Sequence, residues 1–327
     1  MPSINDAPPA FSDEWALERR PPKNPVDPFR PYAFIIEKEH IAPGRIDDVA
    51  TVFITNRECP FRCLMCDLWK NTTDHPVPAG AVPTQIRWAL DRLPPARHIK
   101  LYNSGNFFDP HAIPPDDYPA IADLVAGFET VVVESHPRMI GRRCWDFSDL
   151  LNGRLQVAIG LETAQPDVLA RLNKRMSLVD FESAVASLNR RGINVRAFIL
   201  VRPPFMTDDE GLEWAVRSMQ FAFDAGVECC VLIPTRGGNG AMESLAATGQ
   251  FAPPSLNTLE SALDRGLQLH RGRVFADLWD IEKLTACHRC APARIDRLRR
   301  TNLLQRPQPA IPCPTCFPTC PSPRSNY

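Results

Sequence analysis

Between residues 49 and 234, short apolar runs rich in β-branched residues alternate with longer amphipathic stretches. VATVFIT (49–55), ARHIKLYN (96–103), ETVVVES (129–135), RLQVAIGLE (154–162), INVRAFILV (193–201) and ECCVLIP (228–234) read as six buried strands. Segments near 83–93, 116–127, 144–152, 166–174, 178–191 and 208–225 read as helices, several opened by Ser, Thr or Asp. Continuous apolar strands separated by helices predict a parallel sheet covered by helices. The expected fold is α/β, a partial (β/α)6 TIM-type barrel. An open doubly wound sheet shares the alternation, but no G-x-G-x-x-G follows any of the strands.

The flanks are patterned differently. Residues 1–49 are Pro-rich and weakly periodic and read as an extended arm, with a short helix around Asp13 to Arg19. Residues 50–250 form the core. Residues 251–327 read as an extension with a helix near 256–270, a candidate strand in RVFADLWD (273–280), and a tail rich in Cys, Arg and Pro.

The chain has 327 residues with 37 basic against 38 acidic side chains, a net charge of -1, so no global field draws it to nucleic acid or anionic lipid. No apolar run reaches the roughly 18–20 residues of a spanning helix, and the N-terminus lacks the basic-then-apolar order of a signal peptide. A cytoplasmic location without a membrane partner is the expectation. In that compartment eleven cysteines point to metal binding or catalysis rather than disulfides.

Their placement sharpens this. TNRECPFRCLMCDLW sets Cys59, Cys63 and Cys66 directly after the first strand, and loops at strand C-termini carry the chemistry of parallel α/β folds. Three thiolates on one loop can each take one iron of a cubane and leave the fourth iron open. Zinc is the competing metal, although a structural zinc site normally needs four protein ligands.

Cys59-Pro-Phe-Arg-Cys63-Leu-Met-Cys66 resembles the C-x3-C-x-aromatic-C signature of the radical S-adenosylmethionine (SAM) superfamily, with Met65 in place of the usual aromatic residue. The resemblance implies a 4Fe-4S cluster that chelates SAM, and reductive cleavage to a 5′-deoxyadenosyl radical. It also implies that Ser104, Gly105 and Asn106 match the segment that binds the SAM ammonium. Glu162 would match an acidic SAM contact, and Arg202 would face the SAM carboxylate or a substrate anion. The phrases LYNSGNFFD, VVVESHP, GLET, NKRMS, RPPFMTDDEG and IPTRGGNGAMESL are similar to the branch containing the archaeosine-biosynthesis radical SAM protein and the elongator catalytic subunit. This covers about residues 50–245 and bears on fold and cofactor more than on substrate. An electron donor such as flavodoxin or ferredoxin is implied, with a small molecule or an RNA as substrate; tRNA base modification is one alternative. A non-catalytic zinc-binding scaffold is the other.

Further candidates come from strand ends. Glu134, Ser135 and His136 end the third strand, where a titratable pair is placed to handle a substrate proton. The glycine-rich loop carrying Arg236, Asn239 and Glu243 is a candidate cradle for the adenosyl group or the substrate. Cys229 and Cys230 read as core fillers.

In the tail, Cys287-x2-Cys290 and Cys313-x2-Cys316 make two C-x2-C knuckles, the pattern of a four-thiolate site. Zinc is the first choice and a second iron–sulfur cluster the rival, with Cys320 spare and His288 a substitute ligand. Between the knuckles, Arg294, Arg297, Arg299 and Arg300 read as a positive patch on a short helix, suited to RNA phosphates or an acidic redox partner, or as a solvated face.

Overall fold

The computed structural model of the chain describes residues 11–315. Eight strands form one curled sheet in sequential order: β1 (Ala33–Ala42), β2 (Arg45–Phe53), β3 (His98–Tyr102), β4 (Thr130–Glu134), β5 (Arg154–Glu162), β6 (Asn194–Val201), β7 (Cys229–Pro234) and β8 (Arg273–Ala276). β1 is antiparallel to β2, and every later neighbour is parallel. The six expected strands are β2 to β7, and the candidate after residue 273 adds a seventh parallel strand. The architecture is thus a partial TIM-type barrel with one antiparallel edge.

That edge corrects the reading of residues 33–42 as arm. They form β1 because Glu39, which spoils the apolar pattern, is buried against Arg196 and lies 2.6 Å from the Lys100 Nζ. The concave face of the sheet is correspondingly polar. Lys100, Gln156, Arg196 and Arg273 meet there with Glu39 and Glu228, and Glu37 also lies 2.7 Å from Lys100, so each cation has a carboxylate partner.

The convex face is apolar and is covered by helices. The helices of the described residues are, in chain order, α1 (Asp13–Leu17), α2 (Ala81–Leu90), α3 (Tyr118–Leu124), α4 (Arg142–Leu150) and α5 (Pro166–Arg171), followed by α6 (Leu178–Asn189), α7 (Asp208–Asp224), α8 (Ala241–Ala247), α9 (Leu256–Gln268) and α10 (Ala291–Leu304); of these, α1 and α8 pack with Leu64 in a separate cluster. Ile86, Ile121, Phe147, Phe181, Met219 and Leu259 pack on Ile99, Val131, Val157, Val195 and Cys230 in one continuous core. Capping boxes start α6 at Ser177 and α7 at Thr207, satisfying the first N–H groups that a helix leaves open.

α10 covers the outer edge of β8. The Asn302 side-chain amide brackets Ala276, and that of Gln305 brackets Val274, so the strand's unpaired backbone groups are met by side chains. Arg273 donates to the His40 carbonyl at 2.9 Å, tying β8 to β1. α10 also corrects the positive patch. Arg294 is buried and lies 2.5 Å from Glu260, and Arg297 is buried 2.5 Å from Asp264, both acids on α9. Only Arg299 and Arg300 of the four are exposed, so the arginine-rich segment is chiefly an interhelical ion-pair seam.

Candidate active site

The loop that follows β2 carries Cys59, Cys63 and Cys66 at the C-terminal end of the sheet. It is held from several sides. Leu64 N–H donates to Leu172 O at 2.9 Å, and the Asn239 amide donates to Leu64 O and Cys66 O at 2.9 and 3.0 Å. The Asn173 amide donates to Arg62 O at 2.9 Å, and the Trp69 indole to Cys66 O at 3.0 Å. Leu64 is buried with Met242, Leu245 and Phe251, while Met65 packs between that cluster and Leu172, Leu200 and Met206. Met65 therefore fills an apolar seam. The glycine-rich loop acts here through Asn239, which clamps the cysteine loop and accepts from Met242 N–H at the start of α8. Its Arg236 lies 2.8 Å from Asp277.

The turn after β3 meets Cys59. The Asn106 amide donates to the Cys59 sulfur at 3.2 Å, and its carbonyl oxygen accepts from His136 N–H at 2.6 Å. Gly105 lies against Cys59, where a Cβ would come 3.4 Å from the cysteine Cβ. The Glu134 carboxylate accepts from Asn103 N–H at 2.7 Å and from Gly105 N–H at 3.4 Å, so it braces the turn. Burial pushes Glu134 up to about 7, against the lowering effect of those N–H donors.

His136 corrects the expectation of a proton-handling residue. Its Nδ1 accepts from Arg138 N–H at 3.2 Å, so Nε2 carries the proton and donates to Lys174 O at 2.9 Å. The ring stacks on Phe61 at 3.8 Å between centroids, and burial, with the Lys174 charge, holds it down to about 3. Neutral, buried and with both nitrogens engaged, it is a brace for the loop rather than a proton carrier.

At the end of β5, Glu162 Oε1 lies 2.5 Å from Lys174 Nζ, and both side chains are buried. Gly160 makes room for the pair: a Cβ there would come 2.5 Å from Lys174 Nζ and still closer to Glu162 Oε1. Ser104, Glu162 and Arg202, at the ends of β3, β5 and β6, have left-handed φ of 54°, 66° and 53°. Such conformations cost about 1–3 kcal/mol each in non-glycine residues and gather at functional sites. Tyr32 and Ser104 share a hydrogen bond of 2.8 Å. The Arg202 guanidinium donates to Pro253 O at 2.8 Å and lies 3.5 Å from Asp208, so its present partners are protein groups.

The structure thus brings Cys59, Gly105 and Asn106 into contact. Lys174, Asn173 and Tyr32 also belong to this region and are not singled out by the sequence, whereas Asn239, a candidate there, clamps the cysteine loop. NKRMS is the only trace of two of them. Burial pushes the Cys59 thiol up to about 11 and those of Cys63 and Cys66 up to about 12. A bound metal would displace such protons outright. Three sulfurs on one braced loop, one receiving an amide N–H, suit an iron–sulfur cluster, whose potential depends on hydrogen bonds to sulfur.

In the tail, the sulfurs of Cys287, Cys290 and Cys313 all lie within 4.8 Å of one another, with Cys287 and Cys313 3.9 Å apart. Tetrahedral zinc at about 2.3 Å from each sulfur would set the sulfurs about 3.8 Å apart. Among the described residues no other set of three or more His, Cys, Asp or Glu side chains converges so closely. Cys316 and Cys320 lie outside the described residues, and His288 is exposed.

No protein-family model matches the chain. An uncharacterized protein of Methanocaldococcus jannaschii is 21% identical over 246 residues, covering 70% of this chain and 67% of that protein. Archaeosine synthase subunit beta of Methanosarcina acetivorans is 24% identical over 219 residues, covering 64% of this chain and 62% of its own length. Among solved structures, Elp3 of Methanocaldococcus infernus matches 67% of this chain and 59% of its own, at 13% identity and a TM-score of 0.49. The chain resembles the branch that its motifs indicate, and it spans only about two thirds of the length of these curated relatives. Among the described residues no helix is long and apolar enough to cross a membrane.

Proposed function

We propose that this chain is a radical SAM enzyme. The observation that carries the reading is the C-x3-C-x2-C loop at the barrel mouth, braced by Asn106 and His136 and facing the Glu162–Lys174 pair. Cys59, Cys63 and Cys66 would hold a 4Fe-4S cluster. Ser104, Gly105, Asn106 and Glu162 would position SAM, with Arg202 at the margin. When bound, these groups supply one-electron cleavage of SAM to methionine and a 5′-deoxyadenosyl radical, with the electron drawn from a flavodoxin or ferredoxin.

The chain's own part is orientation and exclusion of water. Asn106 fixes the Cys59 sulfur, Gly105, half-buried against Cys59, puts no side chain in the way of a ligand, and Glu162 offers a carboxylate to a cationic one. Glu134 is occupied in bracing the turn. The similarity to archaeosine synthase subunit beta supports a modified tRNA base as a second reading of the substrate.

The convergence of Cys287, Cys290 and Cys313 supports a separate structural zinc, for which the C-x2-C spacing offers Cys316 as the fourth ligand. A chain whose metal is structural zinc alone is colourless. Anaerobic purification should instead give a brown protein that bleaches in air, and a colourless, iron-free product would contradict the enzymatic reading.

A further inference from the structure

The buried Lys174 ammonium lies 2.5 Å from Glu162 Oε1, and its charge is felt at Cys59 and Cys63, two of the proposed cluster ligands. It cannot readily withdraw. Asn173 and Arg175, on either side, hold left-handed φ of 52° and 56°, and the Lys174 carbonyl is fixed by the His136 Nε2–H at 2.9 Å. The flanking side chains are also committed: the Asn173 amide donates to Asp13 at 2.8 Å, and Arg175 lies 2.5 Å from the same carboxylate. Arg20, the cation that faces Cys66, is 2.6 Å from Glu58 and so partly neutralised.

We propose that Lys174 is a positioning residue that couples ligand occupancy to the charge at the three-cysteine site. It holds Glu162 in the empty protein and, when Glu162 turns to a cationic ligand, directs its field onto Cys59 and Cys63. This rests on the reading of the loop as a cluster site and of Glu162 as a SAM contact. SAM carries an ammonium and a sulfonium, and either competes with Lys174 for one carboxylate. The backbone on both sides of Lys174 is locked and the SAM carboxylate is assigned to Arg202, so the lysine charge stays beside the cysteine sulfurs when Glu162 turns away. A cation less neutralised by its neighbour favours the reduced cluster, because cluster potentials respond to local charge. Ligand binding and electron entry are thereby linked.

The test is a redox titration followed by electron paramagnetic resonance, with and without an aza analogue of SAM that binds as a cation and is not cleaved. In the wild type the analogue should shift the reduced-to-oxidised ratio at fixed potential about tenfold, or about 59 mV for one electron. Lys174→Gln should lose the shift, and Lys174→Arg should keep most of it. The double variant Glu162→Gln/Lys174→Gln leaves no unpaired buried charge, so it guards against misfolding, and it should also lose the shift. A full shift in either glutamine variant, with its cluster loaded, would overturn the role of Lys174 alone. Absence of iron from the wild type would overturn the cluster reading itself, and this inference with it.

Discussion

The Asn106 side chain joins two strand ends: its amide reaches the Cys59 sulfur at 3.2 Å and its carbonyl oxygen receives His136 N–H at 2.6 Å. One buried residue thereby sets the loop after β2 against the segment after β4. Asn106→Leu keeps the volume and loses both bonds, leaving the His136 N–H unpaired at a cost of about 1–3 kcal/mol. Urea unfolding should show that loss, and iron retention should fall with it. Unchanged iron and stability would mean that the Asn106 bonds are incidental.

Gly160 is required by the ion pair beside it. Gly160→Ala should force Glu162 and Lys174 apart, at a cost of about 1–3 kcal/mol for overpacking, and should weaken SAM binding by equilibrium dialysis more than it lowers cluster iron. Wild-type affinity in this variant would separate the pair from ligand binding.

Acid stability should carry the signature of His136. Burial and Lys174 hold it down to about 3, whereas the ordinary value is 6.5. Between those values the unfolded chain binds the extra proton, so this contribution is present above pH 6.5 and is lost as the pH falls toward 3. Glu134, raised from 4.5 to about 7, has the opposite sign: its contribution is present below 4.5 and fades as the pH rises through 7. Comparing metal-free wild type with His136→Gln isolates the first effect. The variant should show a shallower loss of urea midpoint on acidification, and parallel slopes would contradict the assignment.

The parts that were legible in the sequence are local ones. Cys59, Cys63 and Cys66 declare themselves because loop spacing is a short-range property, and β2 to β7 because each carries a short run of β-branched apolar residues packed under the helices. β1 escaped notice because Glu39 is buried by partners that lie far along the chain, on β3 and β6. The Glu162–Lys174 pair depends on an empty space at Gly160 and on two left-handed residues, neither of which has a periodic signature. Arg294 and Arg297 looked like surface charge because their acids, Glu260 and Asp264, sit 34 and 33 residues away. Sequence patterns show composition along one face; they do not show which face a neighbouring helix covers.

The tail site should bind its metal independently of the mouth. In a Cys59/Cys63/Cys66→Ala variant purified without reconstitution, elemental analysis should find about one zinc per chain and almost no iron. Several irons would indicate a second cluster at Cys287, Cys290 and Cys313. No metal would remove the tail site altogether.

The central claim is reductive cleavage of SAM at the three-cysteine loop. The most direct measurement incubates the anaerobic, dithionite-reduced protein with SAM and quantifies 5′-deoxyadenosine and methionine by mass spectrometry, beside the triple alanine variant. The account predicts both products, formed at least slowly without substrate, from the wild type and neither from the variant. A wild-type protein with a full cluster that yields no 5′-deoxyadenosine, or a variant that yields as much as the wild type, would contradict it.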